Sequence, residues 1–317
     1  MAIDVGAGRS FSKGNFALDI EGYSVAFLKK FSGLSMQGDV VNNDLGTDNV
    51  QKKHIANIKW TPAAATIGIG MGKAMYDWIR LSFDKAYTRK NGSFTSADFD
   101  FKAQTRIDFE DALITSVTVP KLDGSSKEAA YFEIGFEPER VRWTKGGGED
   151  IRGKMGAKQK AWLCSNFRFE LGGLPTNRVA IIDSFTWKCG VAPDQIGEVR
   201  EYTKHPSRVT VPDLKLQISY ADYDPWSQLA KKWFVDGHHL ETDEMNGRIV
   251  FLSPDMRTEL GEITLMNVGL KSFSDDVPSD KDPSVTIGSE ANAERIKRFT
   301  VELYVETMKF VIHEYDA

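Results

Sequence analysis

Cysteine is scarce in this chain: Cys164 and Cys189 are the only two in 317 residues. Two thiols do not make a disulfide scaffold or a zinc site. Both read as lying on one hairpin, which leaves a cross-strand disulfide open, but buried reduced thiols and a cytosolic setting are the expectation. A run of about 18 apolar residues able to span a membrane is also missing. The opening "MAIDVGAGRS" lacks the apolar segment of a secretory signal. Charge is not one-sided: the net value is −5 and the sequence pI about 5.7, which disfavours a duplex-binding surface. With 41% hydrophobic and 27% charged residues, the balance is that of a globular chain, at a length of about two domains.

Catalytic signatures are missing too. "GIGMGKA" from Gly68 ends in Gly72-Lys73, but Ile67 stands where a phosphate loop needs its first glycine and Ala74 where it needs a hydroxyl. It reads as a strand-to-helix turn. His238-His239 has no carboxylate or cysteine partner at metal-ligand spacing. Asp98 and Asp100 fall on one face of a strand, yet within a mixed row that includes Lys102 and Arg106, which marks a wetted surface more than an acid–base pair. No nucleophile triad is legible. No catalytic, cofactor-binding or metal residue is assigned, and no enzyme is expected.

What is present is a repetition. "NFALDIEGY" from Asn15 returns as "NFRFELGGL" from Asn166, an offset of 151 (166 − 15). "VAFLKKF" from Val25 returns as "VAIIDSF" from Val179, an offset of 154, which implies a turn longer by three residues. A repeat of this length is a duplicated domain. In the first copy Phe16, Leu18 and Ile20 alternate with polar residues as a strand, and a second strand over 25–34 closes a hairpin. A polar excursion over 37–58 follows. Then come a strand around "AAATIGIG" and a helix burying Met75, Trp78, Ile79, Ser82, Phe83 and Ala86.

Residues 97–109 alternate cleanly as one strand, with Asp98, Asp100, Lys102, Gln104, Arg106 and Asp108 on its polar side. Strands over 113–119 and 131–142 complete the copy. A Gly-rich basic linker occupies 144–164. The second copy repeats the order: an excursion over 190–208, a strand with Leu216 and Ile218, and a helix with Asp224 as N-cap and Pro225 at its first position. Trp226, Leu229, Ala230, Trp233 and Phe234 form its buried stripe, Phe234 answering Phe83 at 151 (234 − 83). "EITLMNVGL" then matches "DALITSVTV", and "VELYVETMKF" matches "FEIGFEPERV" at 169 (301 − 132). The larger offset reflects a loop inserted at 274–298. The expected architecture is mainly β (α+β): two tandem β-barrel or sandwich domains, 1–143 and 165–317, each with one packed helix.

The order of elements, together with "NFALDIEGY", "FSGLSM", Lys59-Trp60, "MYDWI" and, in the second copy, "EVREY", resembles the tail tube proteins of contractile phages and of related injection systems, including the type VI secretion tube. The resemblance implies six-fold rings stacked into a hollow tube whose inner wall is one continuous barrel. Two such domains in one chain imply a trimer mimicking six-fold symmetry. Asp98, Asp100, Lys102, Gln104, Arg106 and Asp108 are then the candidate lumen lining, and Val40, Val41, Ile55, Ile196 and Val199 the candidate ring-stacking residues. Implied partners are further copies of the chain, a contractile sheath and a baseplate, with nucleic acid or protein cargo in the lumen and no membrane. Implied too are assembly in the bacterial cytoplasm and residence in a virion tail or injection particle. A baseplate hub or tube initiator is the alternative within this class; a binding module or enzyme on a duplicated β scaffold is the alternative outside it.

Overall fold

The computed structural model describes residues 14–25, 28–43, 51–154, 162–195, 201–275 and 296–316. Residues 1–13, Ile196, Val199 and most of the 274–298 loop lie outside the described residues. Strands β1 (Asn15–Ile20), β2 (Tyr23–Ser24) and β3 (Leu28–Ser32) lead into a hairpin of β4 (Met36–Asn43) and β5 (Lys52–Trp60). Next come β6 (Ala63–Ile67), helix α1 (Lys73–Phe83), β7 (Lys90–Ala97) and β8 (Ala103–Val119). Short β9 (Leu122–Asp123), β10 (Phe132–Glu137) and β11 (Arg140–Lys145) end the first half. The second half opens with β12 (Phe167–Leu171), β13 (Val179–Ile182) and a hairpin of β14 (Phe185–Asp194) and β15 (Thr203–Thr210). After β16 (Leu214–Ser219), helix α2 (Tyr223–Ala230) runs into a π-helical turn (Lys231–Val235). β17 (Met245–Leu252), β18 (Glu259–Asp275), β19 (Arg298–Ile312) and short α3 (His313–Asp316) complete the chain.

The two halves have one strand order. It reads β1-β7-β8-β10-β6-β3 in the first and β12-β17-β18-β19-β16-β13 in the second, with β19 filling the places of both β10 and β11. Each sheet curls, and Phe31 of β3 stacks on Phe94 of β7 at 4.0 Å across the curl. The pairing agrees residue by residue. Leu28 faces Ile67 and Phe31 faces Ala65, while Val179 faces Ile218 and Ile182 faces Leu216, all offset by 151 (179 − 28, 218 − 67). The irregularity after Leu28 recurs after Val179. In the hairpins, Gln37 faces Lys59 and Val40 faces Ile55, as Lys188 faces Thr210 and Val191 faces Pro206, again at 151 (188 − 37, 206 − 55).

This register corrects several expectations. The sequence match that set Val25 against Val179 slid by three residues; the offset stays at 151. β3 does not close a hairpin with β1 but pairs with β6 at the other end of the sheet. β8 maps on β18 at 156, since Phe109 faces Gly92 as Leu265 faces Gly247 (265 − 109). The correct match of Asp111 is therefore Asn267, and both adopt positive φ (53 and 56). The last strands match at 167, because Ile134 faces Val117 as Val301 faces Phe273 (301 − 134). A slide of two residues keeps every side chain on its face, so alternation alone cannot detect it.

The expected strand over 97–109 is two strands and a turn. Asp98 Oδ1 accepts the backbone N–H groups of Asp100 (3.0 Å) and Lys102 (2.9 Å), and Phe101 takes φ 63, so the chain reverses between β7 and β8. β8 then continues unbroken to Val119. Helix α1 buries Met75, Tyr76, Trp78, Ile79, Ser82 and Phe83, close to the expected face. In the second half Trp226, Ala230 and Trp233 are buried, but the π-helical turn rotates Phe234 out to 52% exposure. That helix starts at Tyr223 after Asp222, so Asp224 lies in the first turn and not at the cap.

Both cysteines are buried and unbridged; Cys164 precedes β12 while Cys189 lies in β14, so they do not share a hairpin. Burial pushes both thiols up from their ordinary values. Nor is the linker loose where it is described. Ile151 is fully buried against Ala17, Ala97 and Ala103, and Trp162 stacks on Phe132 (5.1 Å) and packs edge-on to Phe251 (4.6 Å). One buried apolar cluster runs through both halves.

Candidate assembly surfaces

The second hairpin leaves its own half. Phe185, Thr186, Trp187 and Lys188 of β14 pair with Val119, Thr118, Val117 and Ser116 of β8, extending the first sheet by strand addition. Thr186 and Thr118 join their hydroxyls at 3.0 Å. Trp187, 2% exposed, stacks on Phe83 at the end of α1 with 4.7 Å between ring centroids. Further out, Lys204 of β15 donates its backbone N–H to Glu139 (2.8 Å) and its Nζ to Glu137 (3.2 Å), while Arg89 donates to the Lys204 carbonyl (2.7 Å). The first half reciprocates: Leu122 and Asp123 of β9 pair with Ile182 and Ile181 of β13.

The first hairpin has no such host. Among the described residues β4 pairs with β5 alone. Val40, Val41 and Ile55 are exposed on it, so three of the ring-stacking candidates stand as apolar groups in water. Ile196 and Val199 fall outside the described residues.

The lumen candidates divide. Gln104, Arg106 and Asp108 lie on one face of β8, where Arg106 Nε donates to Asp108 at 2.7 Å and that carboxylate raises the guanidinium's pKa. Asp98, Asp100 and Lys102 sit instead at the β7–β8 turn, with Asp98 capping it and Lys102 3.8 Å from Asp150. Sequence reasoning missed the matching face of the second half. There Glu170 accepts from Arg248 (2.7 Å) and Arg168 (2.6 Å), and Arg248 also reaches Glu262 (2.8 Å) and Glu259 (3.3 Å). The Arg248 hydrogen bond holds the Glu170 carboxyl below its usual range. The signal was the alternation of Arg168 and Glu170 in β12.

Glu259, Glu262 and His313 gather at metal-ligand spacing, but both carboxylates are already engaged by Arg248, and Glu259 by Arg168 as well. Gly68 to Gly72 form the turn before α1, as expected, and a Cβ on Gly72 would meet the Ser24 carbonyl oxygen at 2.6 Å. His238 and His239 are exposed, with His239 Nδ1 3.0 Å from the Trp233 carbonyl. No helix among the described residues is long and apolar enough to cross a membrane.

The described residues thus form two register-matched β units that add strands to one another. In comparison with known proteins, residues 12–142 match the family model of the T4-like virus tail tube protein gp19. Among solved structures, the chain is similar to the tube terminating cap of the anti-feeding prophage (23% identity, 45% of this chain and 96% of that one, TM-score 0.38). It is also similar to a chain of that particle's baseplate (12%, 44% and 97%, TM-score 0.39). A third is the sheath–tube complex of the extracellular contractile injection system PVC in its extended state (20%, 44% and 94%, TM-score 0.37). No protein of curated function matches.

Proposed function

We propose that the chain is a structural subunit of the inner tube of a contractile tail or phage-like injection system. It carries two tail-tube units, 1–143 and 165–317, joined by 144–164. Three chains form a ring of six units, and rings stack into a tube. The observation that carries this reading is the β14–β8 strand addition: one unit of the chain already docks on the other as neighbours in a ring would. The faces bearing Gln104, Arg106 and Asp108 in one unit and Arg168, Glu170 and Arg248 in the other line the lumen, where a mixed-charge wall stays wetted as cargo, nucleic acid or protein, passes. Asp98, Asp100 and Lys102 stand at its rim. Val40, Val41 and Ile55 meet the next ring, and the reading assigns the same role to Ile196 and Val199. Assembly takes place in the bacterial cytoplasm, with sheath and baseplate proteins as outer partners. Electron microscopy of the purified protein tests the reading: rings or rods are expected, and a chain that stays monomeric at high concentration would refute it.

A further inference from the structure

Resting on that reading, the repeat identifies which edge of one chain receives which strand of the next. β14 finds its host because β7 covers only part of β8, leaving 116–119 to pair with the hairpin. β18 has the same arrangement: β17 pairs with it up to Val268, and beyond that point the same edge has no strand partner among the described residues. Applying the offsets of 151 and 156 carries Thr186, Trp187 and Lys188 onto Ser35, Met36 and Gln37, and Thr118, Val117 and Ser116 onto Ser274, Phe273 and Ser272.

The chemistry carries over as well. A hydroxyl pair becomes Ser35 with Ser274, and an apolar pair becomes Met36 with Phe273. Where Trp187 is buried, Met36 is 57% exposed; where Phe83 stacks on Trp187, the equivalent helix end presents Phe234 at 52% and Val235 at 74% exposure. β14 begins at Phe185, while β4 begins at Met36, two residues after the equivalent Leu34, which is buried with φ 56 and donates its backbone N–H to Thr61. The outer clamp has its counterpart too. Lys204 maps on Lys53; of its carboxylate hosts Glu139 maps on Glu306 and Glu137 on Tyr304, whose hydroxyl donates to Glu244, and Glu244 Oε2 is buried without a hydrogen-bond partner among the described residues.

We propose that the β4–β5 hairpin of one chain adds to the free edge of β18 in a second copy, with Ser35, Met36 and Gln37 alongside Ser274, Phe273 and Ser272, Met36 on Phe234 and Val235, and Lys53 at Glu244 and Glu306. The contact is heterologous, so each chain offers one hairpin and one edge, and repetition closes a ring if the rotation allows.

Mixing a Ser35→Cys chain with a Ser274→Cys chain under mild oxidation tests it, since directly opposed residues of antiparallel strands stand within disulfide reach. Both serines are exposed, and the buried native thiols are controlled by the unsubstituted chain. The expected result is a shift from 35.4 kDa to twice that mass on a denaturing gel, from the mixture and from neither variant alone. A Gln37→Cys chain mixed with Ser274→Cys should give far less. Rings without the Ser35–Ser274 cross-link would overturn the docking and leave the tube reading standing; neither rings nor cross-link would overturn both.

Discussion

Asp98 shows how a single side chain can defeat a pattern. The stretch around it alternates apolar and polar residues without a glycine, proline or asparagine, so nothing but the carboxylate itself signals a reversal. Two backbone N–H groups on one carboxylate oxygen outweigh the alternation, and Phe99 is left exposed at the tip. Tyr304 gives a residue-scale prediction. Burial, followed by its hydrogen bond to Glu244 at 2.9 Å, pushes its phenol from 10.0 up to about 12. The folded chain therefore keeps a proton between pH 10 and 12 that the unfolded chain has released. That contribution is full below pH 10 and lost as pH rises through 12. Urea unfolding across this window should show Tyr304→Phe losing stability less steeply than the native chain; parallel losses would contradict the assignment.

Between elements, the inter-unit joint is core-like. Trp187 is buried on Phe83, and Phe132, Trp162, Phe251 and Phe310 interlock across the halves. Trp187→Ala should cost about 3–5 kcal/mol in urea unfolding. It should also speed amide exchange at 116–119, where β14 pairs, more than at 105–110, where β11 pairs. Equal acceleration at both would mean global loosening and no local joint. The coarse order of elements and the buried face of α1 were legible in the sequence, because burial imposes the periods that carry them. The register was not. Strand matching tolerates slides of two, and bulges such as those at Asp111 and Asn267 are marked by no more than a single Asp or Asn within an alternating run. The offset of 151 through the first hairpin is visible only in the pairing.

At the scale of the whole molecule, the described residues present one hairpin paired to a host strand and one without a host. Which strand edge stays open depends on partners more than a hundred residues away, and so the sequence showed candidate surfaces without showing their hosts. Val40 and Ile55, facing one another near the middle of the free hairpin, should act along the tube axis. Replacing both by Asp should leave rings but abolish rods in negative-stain images, whereas rods of native length would contradict a stacking role. The central claim is that three chains supply six units to one ring. Rotational averaging of face-on ring images tests this most directly. The account predicts six densities related by strict three-fold and only approximate six-fold symmetry; strict six-fold symmetry built from six whole chains would contradict it.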